Sequence, residues 1–388
     1  MVGNFKMLAK TLYGFEPILA KELRNLGAGN VNEGVRNVTF EGDLGFLYKA
    51  NLCLRTALKV LRPIKTFKVF TERDLYQNVY AIDWASYFDV DKTFAMDTTM
   101  SSEVFKNSMY VSQKGKDALV DKFRHQVQKR PNVNSQNADV RINIHLFDNT
   151  CTVSLDSSGD SLHQRGYRIA TNIAPINEVL AAGLLLMTGW DGRTDFLDPM
   201  CGSGTFLIEA AMIACNIPAN INRESYAFMQ WKDYDAELHE KIVNASLNRT
   251  REFHHKIMGC DKAPSAERKA EENVENSQLS EYIDIERKDF FRSEKPVDGK
   301  LHMVFNPPYG ERLPIDADEF YKKIGDTLKQ NYPGTDAWMI TSNLEALKSV
   351  GLKTSRKIKV FNGKLESRLV KYEMYSGSKK DRFAKEDG

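Results

Sequence analysis

The chain has 388 residues, of which 42% are hydrophobic, and a net charge of +2 from 54 Lys and Arg against 52 Asp and Glu. This length exceeds one ordinary hydrophobic core and predicts two or three domains. No apolar run approaches the length of a membrane span, and the first residues lack the apolar stretch of a signal peptide. Five scattered cysteines without a Cys-x-x-Cys pair indicate neither a disulfide framework nor a zinc site. We therefore expect a reduced, cytoplasmic protein without a metal or a membrane anchor.

The charges are unevenly distributed along the chain. Residues 1–170 carry 23 Lys and Arg against 18 Asp and Glu, and residues 351–388 carry 11 against 5. Such a basic surplus suits a polyanion, because phosphate contacts supply much of the affinity for nucleic acids. Solvated charged faces give the same pattern, so composition alone leaves both interpretations open.

The first zone, residues 1–65, has the pattern of a small α+β unit. A short helix is predicted to begin near Pro17 and to end at Gly27. Residues 37–42 alternate like a strand, and residues 43–54 again predict a helix.

The second zone, residues 66–160, combines strands with one long helix. Residues 92–100 and 138–158 alternate with a period of two, as half-buried strands do. Between them, residues 110–130 predict a helix with an apolar stripe formed by Leu119, Phe123 and Val127.

Basic side chains occupy much of the rest of that helix, among them Lys114, Lys122 and Arg124. An ordinary amphipathic helix with a solvated face accounts for this pattern. The functional alternative is a basic face that is presented to RNA.

The third zone, residues 169–388, alternates helical and strand patterns, which predicts an α/β sheet with crossover helices. The last residues, about a dozen, have the composition of a disordered tail. A hairpin with Asn362-Gly363 at its turn precedes this tail. The other predicted elements are a helix over 174–188 that Gly189 ends, strands over 194–199, 255–261 and 301–306, and helices over 204–216 and 263–278.

A strand, a glycine turn and a buried helix follow one another in "FLDPMCGSGTFLIEAA", residues 196–211. Neither the phosphate loop nor the dinucleotide fingerprint fits, since no Gly-Lys-Ser/Thr follows and Leu207 occupies the third glycine position. The carboxylate of Asp198 at the strand end, beside Gly202 and Gly204, suits a ligand with an amine and no phosphate. The methionine part of S-adenosylmethionine is such a ligand.

Two further aspartates follow later strands. Asp261 ends the strand of "GCD" and could accept hydrogen bonds from both hydroxyls of a ribose. Asp289 in "ERKDFF" could accept the amino group of an adenine, with Phe290 packed against the ring. Any one of these aspartates alone would also fit a helix N-cap. Their order, each after a strand, favours a nucleoside site.

A rigid polar loop ends the next strand in "HMVFNPPYGERL", residues 302–313. The Asn306 side-chain oxygen and the Pro307 carbonyl could accept hydrogen bonds from one NH2 group. Pro307 and Pro308 stiffen the loop, and Tyr309 offers a face on which a flat base can stack, worth ~1–3 kcal/mol. No cysteine neighbours this loop, so the pattern predicts catalysis by orientation and electrostatics without a covalent intermediate.

These motifs resemble those of class I S-adenosylmethionine-dependent methyltransferases that modify exocyclic amines. The stretch over residues 97–124 resembles a THUMP domain, an RNA-binding module, and "HQRGYR" (163–168) and "APINE" (174–178) resemble segments that join such modules to the catalytic domain. Nearly the whole chain is similar to bacterial THUMP-containing 23S ribosomal RNA (guanine-N2-)-methyltransferases.

The resemblance implies a Rossmann-like catalytic domain over 169–388, with a mixed seven-stranded sheet and a C-terminal hairpin. It also implies a ferredoxin-like domain over 1–65, completed by a last strand at about 150–168, and a THUMP domain over 66–160. Some relatives carry a second methyltransferase domain, and its activity is not expected here.

The resemblance further implies the roles of individual residues. Asn306, Pro307, Pro308 and Tyr309 would hold the flipped guanine. The residues assigned to S-adenosylmethionine are Pro175, Asp198, Pro199, Cys201, Gly202, Gly204, Thr205, Asp261, Asp289 and Phe290, and those assigned to RNA are Lys114, Lys122, Arg124, Arg165 and Arg168.

Several alternatives remain open at this point. The same loop serves adenine-N6 methyltransferases of DNA or RNA, and a transfer RNA could replace 23S ribosomal RNA as the substrate. Protein glutamine methylation also uses such a loop, although the basic surplus of residues 1–170 disfavours this function. The non-enzyme alternative is an RNA-binding assembly protein with a vestigial loop.

Overall fold

The computed structural model describes residues 3–171, 175–308 and 316–375. They form two compact units, which we call unit 1 (Met1–Gln164 with Arg223–Ser246) and unit 2 (Arg165–Asn222 with Leu247–Gly388). Within the described ranges, no helix is long and apolar enough to span a membrane.

The regular elements alternate along both units. The helices are α1 (Glu16–Leu26), α2 (Leu44–Cys53), α3 (Glu72–Tyr80), α4 (Ser108–Val127), α5 (Glu178–Thr188), α6 (Thr205–Ala214), α7 (Ala236–Leu247), α8 (Pro264–Asn276) and α9 (Ala317–Asn331). The strands are β1 (Phe5–Thr11), β2 (Gly29–Glu33), β3 (Asn37–Gly42), β4 (Ala57–Lys68), β5 (Phe94–Ser101), β6 (Val140–Phe147), β7 (Thr150–Asp156), β8 (Asp195–Asp198), β9 (Ile257–Asp261), β10 (Ile283–Arg287), β11 (Leu301–Phe305), β12 (Thr335–Thr341), β13 (Arg356–Asn362) and β14 (Leu365–Glu373).

Unit 1 contains one seven-stranded sheet with the order β2-β3-β1-β4-β7-β6-β5. Helix α1 begins with Pro17 in its first turn and ends at Gly27, whose φ of 99° requires the left-handed region that glycine adopts readily. Both boundaries agree with the sequence prediction.

The first four strands already form the ferredoxin-like order β2-β3-β1-β4, all within residues 5–68. This differs from the expected completion by a last strand at about 150–168. Strand β7 pairs with the other side of β4 and joins β5 and β6 to the same sheet, whereas residues 157–168 form no strand.

The long helix of unit 1, α4, buries Leu119 and Phe123 as predicted, but Val127 is 43% exposed. Val127 is the last residue of α4 before the left-handed cap Gln128, so it lies beyond the part of the helix that packs on the sheet.

Part of the predicted catalytic zone belongs to unit 1. The guanidinium of Arg223 donates hydrogen bonds to backbone oxygens of the 158–164 loop at 2.9–3.1 Å. Farther along, the Asp235 N–H donates to the Tyr48 hydroxyl at 2.9 Å. These long-range polar contacts explain why residues 223–246 fold with the first 164 residues.

Unit 2 contains a second seven-stranded sheet, with the order β10-β9-β8-β11-β12-β14-β13. The strands from β10 to β12 are parallel, and β14 runs antiparallel to both β12 and β13. This mixed sheet and its C-terminal hairpin confirm the predicted fold class. The turn is shifted by one residue, because Asn362 still pairs with Leu365 and the connection is Gly363-Lys364.

Candidate active site

The order of strands reverses at β8, because the chain continues to β9 on one side and to β11 on the other. In open α/β sheets, ligands bind at the carboxyl ends of the strands next to such a switch point. A cavity of about 380 Å³ lies there in unit 2. It is lined by Pro175, Ile176, Asp198, Pro199, Met200, Cys201, Gly202, Ser203, Thr205, Phe206, Asp261, Lys262, Ala263, Ser265, Ala266, Asp289, Phe290, Phe291, Asn306, Pro307, Pro308 and Phe320.

The structure thus brings together nine of the ten predicted cofactor residues, all except Gly204, and three of the four predicted loop residues. Tyr309 lies outside the described residues. The other lining residues were missed by the sequence analysis, among them Ile176, Lys262, Phe291 and Phe320.

The glycine turn between β8 and α6 needs both of its glycines. Gly202 and Gly204 have φ values of 58° and 79°, in the left-handed region. A Cβ on Gly204 would lie 3.3 Å from the Cβ of Ala270, which leaves little space for a side chain. Gly204 therefore allows the turn to pack closely on α8, whereas Gly202 lines the cavity, and its N–H donates to Asp261 Oδ2 at 3.2 Å.

Asp198 is only 2% exposed at the end of β8, and its Oδ1 accepts a hydrogen bond from the Met200 N–H at 3.1 Å. Burial, reinforced by the nearby Asp261, raises the pKa of Asp198 well above the ordinary range of a carboxyl group. A ligand that carries a positive charge would relieve this penalty. The position therefore suits an ammonium group.

Asp261 and Asp289 combine local structural contacts with positions in the cavity wall. Asp261 Oδ1 accepts from the Ala263 N–H at 3.0 Å, and Asp289 Oδ1 accepts from the Phe291 N–H at 3.1 Å. Asp289 caps a short 3-10 turn, which is the capping role that the sequence also allowed. Because a carboxylate oxygen accepts more than one hydrogen bond, both groups can still bind ligand hydroxyls or amines.

The loop after β11 holds a buried acceptor. Asn306 follows Phe305, which is fully buried, and Pro307 is buried as well. The Oδ1 atom of Asn306 is buried and has no hydrogen-bond partner within the part of the chain that the structure describes.

The aromatic wall differs from the predicted one. Phe290 contacts the cavity, but it is only 2% exposed, and its ring lies among Phe305 and Tyr332 at centroid distances of 5.9 and 5.5 Å. The more exposed Phe291 also lines the cavity, with Phe320 edge-on to it at 5.2 Å. Phe291 is adjacent to the predicted residue, whereas Phe320 comes from α9, and no local pattern connects α9 to the site.

The expected RNA contact of Arg165 is wrong. Its side chain is fully buried and pairs with Glu209, with 3.2 Å from Nε to Oε1. Buried arginines require such partners, so Arg165 is a structural residue of unit 2 and is not available to RNA.

The expected RNA contact of Arg168 is also wrong, for a different reason. Its guanidinium faces the protein and binds Glu178 at 2.6 Å, Ser203 Oγ at 3.2 Å and Thr205 Oγ1 at 2.9 Å. It also donates to the Ile176 carbonyl at 3.1 Å. Arg168 therefore joins the segment around Pro175 and Ile176 to the glycine turn. The hydroxyl oxygen of Thr205 accepts one of its hydrogen bonds.

The other predicted RNA residues lie on α4 in unit 1. Lys114 Nζ lies 5.9 Å from the Tyr76 ring, Lys122 Nζ lies 5.3 Å from the Tyr80 ring, and Arg124 pairs with Asp121 at 3.3 Å. Tyr76 and Tyr80 stack at 6.0 Å on α3 and were missed, although their i, i+4 spacing is visible in the sequence.

Titratable side chains do not cluster into a metal site anywhere in the described ranges.

The strand order of unit 2, its antiparallel β14 and its cavity at the switch point define the fold of a class I methyltransferase. Residues 165–371 match the RMKL-like methyltransferase domain family, residues 70–156 match the THUMP domain, and residues 6–61 match the RlmL ferredoxin-like domain. The chain therefore belongs to the RMKL-like methyltransferase family, which confirms the resemblance seen in the sequence.

Individual relatives agree with this assignment. A putative RNA methyltransferase of Synechocystis sp. is 37% identical over 93% of this chain and 95% of its own length. A ribosomal RNA large subunit methyltransferase K/L of Psychromonas ingrahamii is 36% identical over 93% of this chain, which spans only 49% of that longer protein. The chain thus covers about half the length of these K/L relatives.

Two solved structures extend the comparison. A putative methyltransferase complexed with SAH has a TM-score of 0.86 and 30% identity, covering 97% of this chain and all of that one. A predicted N6-adenine-specific DNA methylase of Listeria monocytogenes has a TM-score of 0.86 and 28% identity, covering 96% of both chains.

Proposed function

We propose that this chain is an S-adenosylmethionine-dependent RNA methyltransferase that methylates the exocyclic N2 of a guanine, with 23S ribosomal RNA as the substrate. The observation that carries this proposal is the buried Asn306 Oδ1, which has no partner among the described residues. A buried acceptor without a donor costs about 1–3 kcal/mol. We therefore expect a donor to enter the cavity, and the amine of a base is a donor of the right kind.

The donor and acceptor set of the cavity fits S-adenosylmethionine. Asp198 would bind the ammonium of its methionine part, Asp261 its ribose hydroxyls and Asp289 its adenine amine. Gly202 lines the cavity without a side chain, which leaves room for the ligand beside β8. When bound, this cofactor would supply a methyl group on a sulfonium, which is an electrophile for a nitrogen lone pair.

Asn306 would orient the target amine. Its Oδ1, together with the Pro307 carbonyl, would accept hydrogen bonds from the NH2 group and so fix the direction of the nitrogen lone pair. The two prolines restrict the loop backbone, so that little reorganisation accompanies the reaction. Burial raises the pKa of the Cys201 thiol well above its usual range, which keeps it protonated and argues against a covalent intermediate.

Unit 1 would bind the RNA. The side chains of Lys114, Lys122, Tyr76 and Tyr80 form a basic and aromatic surface on α3 and α4. Cations that pair with phosphates, next to rings that can stack on bases, are what single-stranded RNA requires. An RNA substrate agrees with the cytoplasmic location that we expected.

The substrate is tested by nucleoside analysis of RNA from cells that lack this protein, with ribosomal and transfer fractions digested separately. Loss of one N2-methylguanosine from 23S ribosomal RNA is the expected result. Loss of N2-methylguanosine from transfer RNA alone would support the proposed reaction but show that the substrate is transfer RNA. Unchanged RNA would contradict the proposal and favour protein glutamine methylation or a non-enzymatic assembly role.

The choice between guanine and adenine needs its own experiment, because the adenine methylase among the structural neighbours is 28% identical. Inosine lacks the N2 amine of guanosine and otherwise has the same base edges. A 23S transcript made with inosine in place of guanosine should accept no methyl group, whereas the guanosine transcript should. Equal methylation of both transcripts would exclude guanine N2 as the target.

A further inference from the structure

The tip of the C-terminal hairpin lies at the same edge of the sheet as the active-site loop. Phe305 at the end of β11 pairs with Met339, and Thr341 at the end of the parallel strand β12 pairs with Arg368 near the start of β14. Because β14 is antiparallel to β12, residues 362–365 project from the edge at which Asn306 lies. Three strand spacings separate β11 from β13, roughly 15 Å at about 4.8 Å each.

Basic side chains are concentrated at this tip. Lys359 on β13 lies directly opposite Arg368 on β14, and Lys364 belongs to the turn. Lys364 is exposed and has no ion pair with any described residue. We call Lys359, Lys364 and Arg368 the hairpin-tip cations.

One carboxylate holds two of these cations. Glu366 accepts from Lys359 Nζ at 2.6 Å and from Arg368 Nη1 at 2.8 Å. It is the sole acidic residue between 356 and 368, a segment with five Lys and Arg. The tip therefore keeps a positive surplus even with its ion pairs formed.

Protection of a sheet edge is the main competing explanation, since lysines on edge strands prevent unwanted strand pairing. That explanation accounts for Lys359, because β13 is the edge strand. It does not account for Lys364 in the turn or for Arg368 on β14, which lies between β12 and β13. Their common feature is the end of the hairpin and its position along the carboxyl edge.

We propose that the hairpin-tip cations bind the RNA phosphates that flank the target nucleotide and so orient the strand over the active-site loop. This inference rests on the proposed function for its ligand class. Phosphate contacts fix the register of a nucleic acid without reading its sequence. The tip thus supplies a second RNA contact that belongs to the catalytic unit itself.

The test is RNA binding measured by fluorescence anisotropy, with a labelled 20-nucleotide single-stranded RNA of mixed sequence, over a series of salt concentrations. Lys364→Ala should weaken binding by about 3–10-fold at low salt and reduce the slope of log K against log salt by about 0.7. Lys364→Glu should weaken binding further. Glu366→Gln should strengthen binding about 2–5-fold, because it frees Lys359 and Arg368 for phosphate.

Arg356→Ala is the matched control. Arg356 is an exposed cation of the same hairpin. In the strand register it lies opposite Lys371, at the other end of β13 and away from the active-site edge. Its removal should change the affinity less than twofold. The proposal is overturned if Lys364→Ala and Glu366→Gln leave affinity and salt slope unchanged, or if Arg356→Ala weakens binding as much as Lys364→Ala.

The experiment separates this inference from the proposed function, because it measures binding and not methylation. Altered binding in these variants would support the tip contact even if 23S ribosomal RNA were not methylated. Methylation with unaltered binding in every variant would support the proposed function alone.

Discussion

Arg168 and Glu178 form a nearly buried ion pair, with 2.6 Å from Nε to Oε1, and the same guanidinium binds the hydroxyls of Ser203 and Thr205. Arg168 thereby connects the start of α5 to the glycine turn and to the start of α6. Such a multidentate contact fixes the positions of Glu178, Ser203 and Thr205 relative to one another, because the planar guanidinium has a rigid set of donors.

Replacement of Arg168 should loosen the cofactor pocket. We expect Arg168→Gln to weaken S-adenosylmethionine binding at least tenfold in calorimetric titrations, since the segment with Pro175 and Ile176 loses its attachment. Arg165→Gln is the matched control, because Arg165 is buried and pairs with Glu209, which does not line the cavity, whereas Arg168 binds cavity-lining residues. Both variants should be less stable, but only Arg168→Gln should lose affinity. Equal affinities at a temperature where both are folded would contradict this role.

The glycine turn should tolerate no side chain at Gly204. Gly204→Ala combines a left-handed φ of 79° with a 3.3 Å approach to Ala270, so we expect a loss of roughly 1–3 kcal/mol in the free energy of unfolding. Cofactor affinity should fall as well, because α6 begins directly after this residue. Gly299→Ala serves as the control in unit 2, since a Cβ there meets nothing within 4 Å. Similar denaturation midpoints for the two variants would show that the turn is not strained.

The Asp198 carboxylate should lower the stability of the ligand-free protein and strengthen the binding of S-adenosylmethionine. Its pKa is raised in the folded protein by burial, so its contribution to stability falls as the pH rises from the unfolded pKa of about 3.9 towards the folded pKa. Asp198→Asn should therefore raise the melting temperature of the ligand-free protein, by about 2–4 °C for each kcal/mol regained. Scanning calorimetry should show a larger rise in melting temperature at pH 8 than at pH 5.

The same Asp198→Asn variant should bind S-adenosylmethionine at least tenfold more weakly, because its ammonium loses a carboxylate partner. A variant that is less stable at both pH values, or that binds the cofactor normally, would show that Asp198 is only a structural residue.

The local parts of this fold follow from the sequence. A run such as Phe196–Asp198, followed by a glycine turn and an apolar helix, specifies its own strand and turn through burial and backbone conformation. The three aspartates and Asn306 could be assigned to one edge because parallel strands end at the same side of a sheet.

The contacts between distant segments could not be predicted. Arg168 was assigned to RNA, but in the fold its guanidinium donates to four acceptors of the protein. Phe320 lines the cavity from α9, and no local sequence pattern indicates this position. The return of residues 223–246 to unit 1 depends on contacts such as Asp235 with Tyr48, which are 187 positions apart. Such choices depend on tertiary packing, which a single sequence does not display.

In the proposed mechanism, Asn306 orients the target amine and does not bind the cofactor. The direct measurement is the single-turnover rate of methyl transfer to a 23S ribosomal RNA transcript by Asn306→Ala, with S-adenosylmethionine affinity measured on the same preparation. Loss of one positioned group in an active site typically costs about 10²–10³-fold in rate. We predict a loss of this size with cofactor affinity within twofold of the unaltered protein. A normal rate, or a loss explained by weakened cofactor binding, would contradict the amine-orienting role.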